Sequence, residues 1–214
     1  MRAVFFDLDG TLVELPDDFE AVFEAALSDA GVSPDPEYHD HFVEILFEHL
    51  DDCHPEPYRA AMADLCAEFD IVPDFEELAA AYVDREVGAT ELAAGAREAL
   101  DALDCQLGVV TNGATGVQRP KLAHHDLEEY FDAVVVSGDV GASKPDPEIF
   151  AAARESIPAD EYAFVADDLE RDVVPAQGAG FTGVHLVDGD ASADRDGRAD
   201  ATVASLGEVP DVLE

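Results

Sequence analysis

Lysine is almost missing from this chain. Only Lys121 and Lys144 occur in 214 residues, and basic residues number 11 against 50 aspartates and glutamates. The formal net charge of −39 excludes a nucleic-acid partner, whose phosphates would be repelled, and argues against anionic membrane surfaces. Cysteine is also scarce: Cys53, Cys66 and Cys105 are odd in number and lack paired spacing. They are expected as small core residues in a reducing compartment, not as disulfides. No basic start is followed by a long apolar stretch, so neither a signal peptide nor a membrane span is expected. There is no internal repeat and no low-complexity tract. A soluble cytoplasmic protein is the expectation; the oligomeric state is not legible.

What is present is a normal apolar fraction, 48%, so a core can form despite the charge. Self-repulsion at −39 should destabilise the compact state in dilute buffer. At 1 M salt the screening length falls to about 3 Å and most of that repulsion is removed. The composition resembles that of cytosolic proteins of extreme halophiles.

The first eleven residues organise the rest. Ala3-Val4-Phe5-Phe6 is a short apolar run that breaks into Asp7-Leu8-Asp9-Gly10-Thr11, the pattern of a buried strand entering a tight loop. Such a strand end places carboxylates where open α/β sheets bind ligands. The alternative is a plain turn, since Asp and Gly are ordinary turn residues. Four apolar stripes at helical spacing follow: Phe19–Leu27, Tyr38–Leu50, Tyr58–Phe69 and Phe75–Val83, separated by Pro34, Pro36, Pro55, Pro57 and Pro73. Four amphipathic helices in succession can cover one another as a small bundle.

From Leu92 the pattern becomes strands alternating with helices. Strands are expected at Leu107–Thr111, Ala133–Val136, Tyr162–Ala166 and Gly183–Val187, with a short edge strand at Ala201–Val203. Helices are expected around Gly95–Leu103, Val117–His125, from Asp146-Pro147-Glu148, and at Val173–Ala179. This alternation predicts α/β architecture: a Rossmann-like parallel sheet core with helices on both faces. A βαβ unit needs about 30 residues, yet about 100 separate Thr11 from Thr111. The surplus, 16–91, is read as an inserted α-helical bundle over the carboxyl edge of the sheet, and residues 1–15 with 92–214 as the core. That position would make the insertion a lid.

Four strand ends then bring polar groups to one rim. They carry Asp7 and Asp9; Thr111-Asn112-Gly113; Lys144-Pro145 in the loop after the third; and Asp167, Asp168 and Asp172. Carboxylates bind a hard divalent cation through oxygen. The cation and a lysine neutralise a phosphoryl group, while a hydroxyl and backbone N–H groups hold its oxygens.

These residues resemble the haloacid dehalogenase-like hydrolase superfamily. Asp7-Leu8-Asp9-Gly10-Thr11 is similar to its first motif, Thr111 to its second, Lys144 in Lys144-Pro145-Asp146-Pro147-Glu148 to its third, and Asp167 with Asp172 to its fourth. The segment 16–91 sits where the family's helical cap inserts. Ala166 stands where the fourth motif usually has Gly, and Asp168 where Ser or Thr is common. The resemblance implies a phosphomonoester hydrolase acting on a small phosphorylated metabolite. Asp7 would be the nucleophile and Asp9 the general acid and base. Mg²⁺ would be held by the Asp7 carboxylate, the Asp9 backbone carbonyl and Asp167, with Asp172 orienting bound water. Lys144 would offset charge, and Thr111, Thr11, Asn112 and Gly113 would bind the phosphate. The same superfamily contains haloacid dehalogenases and phosphomutases, and a receiver-like phosphate-binding protein uses a similar inventory. A departing halide needs no proton, so an acid at Asp9 favours phosphate chemistry. A weaker likeness, Thr111-Asn112-Gly113 followed by Gln118 and Lys121-Leu122, points to the branch containing nucleotidases and acylneuraminate-phosphate phosphatases.

Other clusters are read as structural. The run from Asp188 to Gly197 has calcium-loop character but lacks Gly at its sixth and Glu at its twelfth position, so a solvated acidic loop is expected. His39, His41, His49 and His54 are expected as surface or substrate-facing groups of the insertion, not a zinc site, and His124-His125 has no evident partner.

Overall fold

A computed structural model describes residues 1–72, 74–187 and 197–213. Pro73 and most of the Asp188–Gly197 run lie outside the described residues.

The opening run forms β1 (Arg2–Phe6), and the chain turns through a single helical turn into the two-residue strand β2 (Val13–Glu14). Four helices follow: α1 (Phe19–Asp29), α2 (Pro36–Asp51), α3 (Pro57–Glu68) and α4 (Phe75–Gly88). Asp18, Asp35 and Asp74 cap α1, α2 and α4 by accepting backbone N–H bonds, and Pro36 and Pro57 occupy the first helical positions, where a missing N–H costs nothing. The chain returns through β3 (Glu91–Leu92), antiparallel to β2. The insertion therefore leaves and rejoins the sheet layer on one two-stranded stem, a pairing too short to read from sequence.

The remainder alternates: α5 (Ala96–Ala102), β4 (Gln106–Thr111), α6 (Thr115–His124), β5 (Ala133–Val136), α7 (Ser137–Val140), α8 (Pro147–Ser156), β6 (Glu161–Ala166), α9 (Val174–Gly178), β7 (Thr182–Leu186), β8 (Ala201–Val203) and α10 (Val209–Leu213). Strand order is β5-β4-β1-β6-β7-β8, all parallel. β1 is central, and the chain runs to one side of it through β4 and to the other through β6. Its carboxyl end is thus the switch point where such sheets form a crevice.

Both sheet faces are covered, as the alternation along β1 requires. Val4 and Phe6 pack with Ala96, Ala99, Leu100, Leu122 and Val209 on one face. Ala3 and Phe5 pack with Ile149, Phe150, Phe164 and Ala176 on the other. Gly108 in β4 has a steric reason: a Cβ there would lie 2.3 Å from the Phe5 ring. The four inserted helices bury their own cluster, including Phe23, Phe42, Met62, Leu65, Leu78 and Tyr82. They meet the sheet layer through a small group, Val87 against Ala114 and Val117, with Tyr58 and Val83 beside it.

The helix expected at Val173–Ala179 is α9, and a wide helical turn, Leu169–Val173, leads into it. One expectation is corrected. Only Cys66 is buried, whereas Cys53 and Cys105, though also free thiols, are partly exposed. Among the described residues, no helix is long and apolar enough to cross a membrane.

Candidate active site

Asp7 is the first residue beyond β1 and is buried. Its amide donates to Val165 of β6 at 3.0 Å, which carries the strand geometry one residue further. Its carboxylate Oδ1 accepts the Leu8 amide at 2.7 Å and lies 2.8 Å from Lys144 Nζ. The Lys144 ammonium is also 2.9 Å from Asp172 Oδ1. Asn112 fixes this lysine's backbone at two points: its Nδ2 donates to the Lys144 carbonyl at 3.0 Å, and its Oδ1 accepts the Lys144 amide at 2.8 Å.

Asp167 stands across from Asp7 at the end of β6. Thr11 donates its hydroxyl to Asp167 Oδ1 at 3.0 Å and accepts the Asp167 amide at 3.1 Å. Gly10 has a φ of +85°, and a Cβ there would fall 2.5 Å from Asp167 Oδ2. Glycine is therefore required twice, for the turn and for the carboxylate above it. Asp168 accepts the amides of Glu170 at 3.0 Å and Arg171 at 2.8 Å, capping the wide turn that carries Asp172 inward. The unusual acid in the fourth motif thus serves as a cap, a role that Ser and Thr also fill.

Asp7, Asp167 and Asp172 offer oxygens that lie within 4.8 Å of one another. Asp172 is fully buried, and Lys144, at 2.9 Å from Oδ1, is its closest cation among the described residues. Burial, and then the Asp7 charge, push its carboxyl up to about 7, with Lys144 opposing. Asp167 is raised for the same two reasons. Three carboxylates with oxygens this close, two of them sharing a single lysine, are hard donors with negative charge to spare and fit a small divalent cation such as Mg²⁺.

Thr111 ends β4 and is buried. Gln118 of α6 donates Nε2 to Thr111 Oγ1 at 2.6 Å and to Asp9 Oδ2 at 2.8 Å. A carboxylate only accepts, which fixes the orientation of the Gln118 amide. Thr111 then has its own hydroxyl proton free, engaged only at 3.3 Å with the Asn112 carbonyl. Asp9 is partly exposed and lies against Lys121, whose Nζ is 3.0 and 3.1 Å from the two carboxylate oxygens. Lys121 Nζ is also 3.4 Å from Glu86 of α4, which accepts the Tyr58 hydroxyl of α3 at 3.3 Å. Burial raises the Glu86 carboxyl, with Lys121 opposing, and raises the Tyr58 hydroxyl, with Glu86 adding to it.

The structure brings Asp7, Lys144, Asp167, Asp172 and Thr11 into one contact network, and Asp9 with Thr111 into an adjoining one. Thr11 and Gly113 sit differently from a phosphate-binding expectation. The Thr11 hydroxyl is engaged with Asp167, and the Gly113 amide donates to Ser137 Oγ at 2.9 Å. Sequence reasoning missed Glu86 and Tyr58 and gave Gln118 and Lys121 no role. One signal was available: Gln118 and Lys121 share a helix face three residues apart, and Lys121 is one of two lysines. The histidines of the insertion pack locally: His39 against Phe23, His41 against Phe69, and His49 3.1 Å from Asp64. His125 has a partner after all, Thr90 at 2.8 Å.

Residues 4–185 match a family model described as haloacid dehalogenase-like hydrolase. The chain is 32% identical over 118 residues to a glyceraldehyde 3-phosphate phosphatase of Methanocaldococcus jannaschii, covering 54% of this chain and 52% of the relative. It is 29% identical over 192 residues to a phosphoglycolate phosphatase of Xanthomonas campestris, covering 86% and 81%. The chain spans about half the length, or less, of the first curated relatives it matches. Among solved structures, a 2-haloacid dehalogenase from Pseudomonas syringae superposes with a TM-score of 0.77 at 24% identity, covering 100% of this chain and 98% of that one, a likeness of fold alone. A haloacid dehalogenase-type phosphatase from Thermococcus onnurineus superposes at 0.67 and 28% identity, covering 100% and 98%.

Proposed function

The chain belongs to the haloacid dehalogenase-like hydrolases, and from that premise we propose that it is a Mg²⁺-dependent phosphomonoester hydrolase acting on a small phosphorylated metabolite. The observation that carries this reading is the carboxylate triad Asp7, Asp167 and Asp172, gathered within 4.8 Å with a buried lysine against two of its members. A halide leaves carbon without a proton and without a counter-cation, so a dehalogenase has little use for the triad or for a second acid at Asp9. A phosphate ester needs both.

Asp7, Asp167 and Asp172, with the Asp9 backbone carbonyl, would hold the cation, which supplies charge neutralisation at the phosphoryl oxygens. Lys144 adds a fixed positive charge on Asp7 Oδ1. Both contacts to Asp7 fall on that oxygen, leaving Oδ2 as the nucleophile. Oδ2 bonds to phosphorus as the phosphorus–alcohol bond breaks. Asp9, which takes up a proton from solvent at its partly exposed carboxylate before this step, gives that proton to the departing alkoxide. Asp9 then takes a proton from water, which attacks phosphorus and releases Asp7 and inorganic phosphate. Thr111 donates its free hydroxyl proton to a phosphoryl oxygen, assisted by the Asn112 amide. Thr11 aligns Asp167, and Gly113 shapes the loop through Ser137. Residues 16–91 act as the cap over residues 1–15 and 92–214.

The names of the relatives point the same way, since phosphoserine, glyceraldehyde 3-phosphate and phosphoglycolate phosphatases all act on small phosphate esters. The test is a release assay over a panel of phosphorylated metabolites with Mg²⁺ in concentrated KCl, with a 2-haloacid included. Inorganic phosphate release is expected. Chloride release from the haloacid with no phosphate release from any ester would replace this reading with dehalogenation.

A further inference from the structure

Asp9 is held by side chains that are not part of the cation-binding triad, and two different layers of the molecule contribute to the hold. Lys121 chelates both Asp9 oxygens, at 3.0 and 3.1 Å, while Gln118 ties Oδ2 to Thr111. The Lys121 side chain is 3% exposed and the Glu86 side chain 4% exposed. An ammonium so buried on a four-carbon stem is not fixed by one partly exposed carboxylate. Glu86 fixes it from behind, at 3.4 Å, and is itself tied to Tyr58. Around this pair, Val83 and Val87 of α4 and Tyr58 of α3 pack on Ala114 and Val117 of α6, keeping water out of the contact. An ion pair placed there costs desolvation and is a weak device for stability alone.

We propose that Lys121 is the positioning residue for the general acid Asp9. We further propose that Glu86 anchors Lys121, so that the acid is aligned only with α4 seated on α6. This rests on the phosphatase reading and on Asp9 as its acid. The contacts of the Lys121 ammonium are Asp9 and Glu86, so its effect passes through Asp9. A misplaced acid matters most when the leaving alkoxide is basic and hardly at all when the leaving group departs unaided.

The discriminating readout is therefore kcat/KM across phosphate monoesters running from 2,4-dinitrophenyl phosphate to simple alkyl phosphates, with Mg²⁺ in concentrated KCl. Lys121→Met should lose roughly 10²-fold on alkyl esters, the usual penalty for a displaced catalytic group, and little on the dinitrophenyl ester. Lys121→Arg should recover much of the loss. Lys121→Met alone strands the buried Glu86 charge, so the Lys121→Met/Glu86→Gln double variant, which removes the pair together, keeps the test usable. It should have the same steepened dependence on leaving group. Glu86→Gln alone should have a weaker form of it. An equal loss across the whole series, or no loss on alkyl esters, in the folded double variant would overturn the assignment. So would a Glu86→Gln variant with no leaving-group dependence of its loss. A wild-type chain inactive on every ester would instead sink the phosphatase reading beneath it.

Discussion

Asp172 is the residue whose setting has the clearest consequence. It is fully buried beside Asp7, with Lys144 as its closest cation, and burial raises its carboxyl to about 7. In the unfolded chain an aspartate titrates near 3.9. The folded state therefore binds more protons than the unfolded state between about pH 4 and 7, and stability from this group falls as pH rises through that window. Asp167 is shifted the same way. Without Mg²⁺, the melting temperature of the wild type should decline from pH 5 to pH 7.5 more steeply than that of Asp172→Asn. Parallel curves would mean that the carboxylate is not desolvated as described. At this scale Asp7, Thr111 and Asp167 were legible because each stands at the end of an apolar strand or one residue beyond it, and strand ends in a parallel sheet converge. Lys144 and Asp172 lie further along the following segments and were read only through the likeness of their motifs. Glu86 was not legible: its partner Lys121 lies on another element, and nothing local in either sequence signals the packing of α4 on α6.

At the scale of elements, the inserted helices are held mainly by their own aromatic cluster. Phe42 stacks on Phe23 at 5.0 Å and meets Tyr82 edge-on at 5.0 Å, and it is fully buried. Truncation at such a site costs about 3–5 kcal/mol. The helices share only a small apolar contact with the sheet layer. Phe42→Ala should therefore split calorimetric unfolding in concentrated KCl into an early transition for α1–α4 and a later one for the sheet layer. A single transition lowered as a whole would mean that the two layers unfold as one. The apolar stripes announced these helices, since Asp caps and N-terminal prolines are read one residue at a time. The β2–β3 stem escaped notice because its two-residue strands are too short to have a period, and their pairing joins positions nearly eighty apart. The turn at Leu169–Val173 escaped because its purpose, bringing Asp172 inward, is a property of the site and not of the local pattern.

At the scale of the molecule, the net charge of −39 sets the conditions under which everything else can be measured. The basic residues are few, and several near the surface are already paired, as Arg59 is with Glu76 and Arg85 with Asp29. Such exposed pairs add about 0–1 kcal/mol each and do little against the long-range repulsion. Screening removes that repulsion, so the melting temperature should climb steadily as KCl is raised to about 2 M. A value unchanged from dilute buffer would separate the acidic composition from any need for salt. With the fold secured in salt, the central claim reduces to one bond, formed between a phosphoryl group and the carboxylate at the end of β1. The direct measurement mixes the wild-type chain with Mg²⁺ and a phosphate ester that it hydrolyses, quenches in acid within one turnover, and maps the modified peptide by mass spectrometry. The account predicts phosphate on Asp7, and none on the Asp7→Asn variant, which should also be inactive. Ester hydrolysis with Asp7 unmodified, or undiminished turnover in Asp7→Asn, would contradict it.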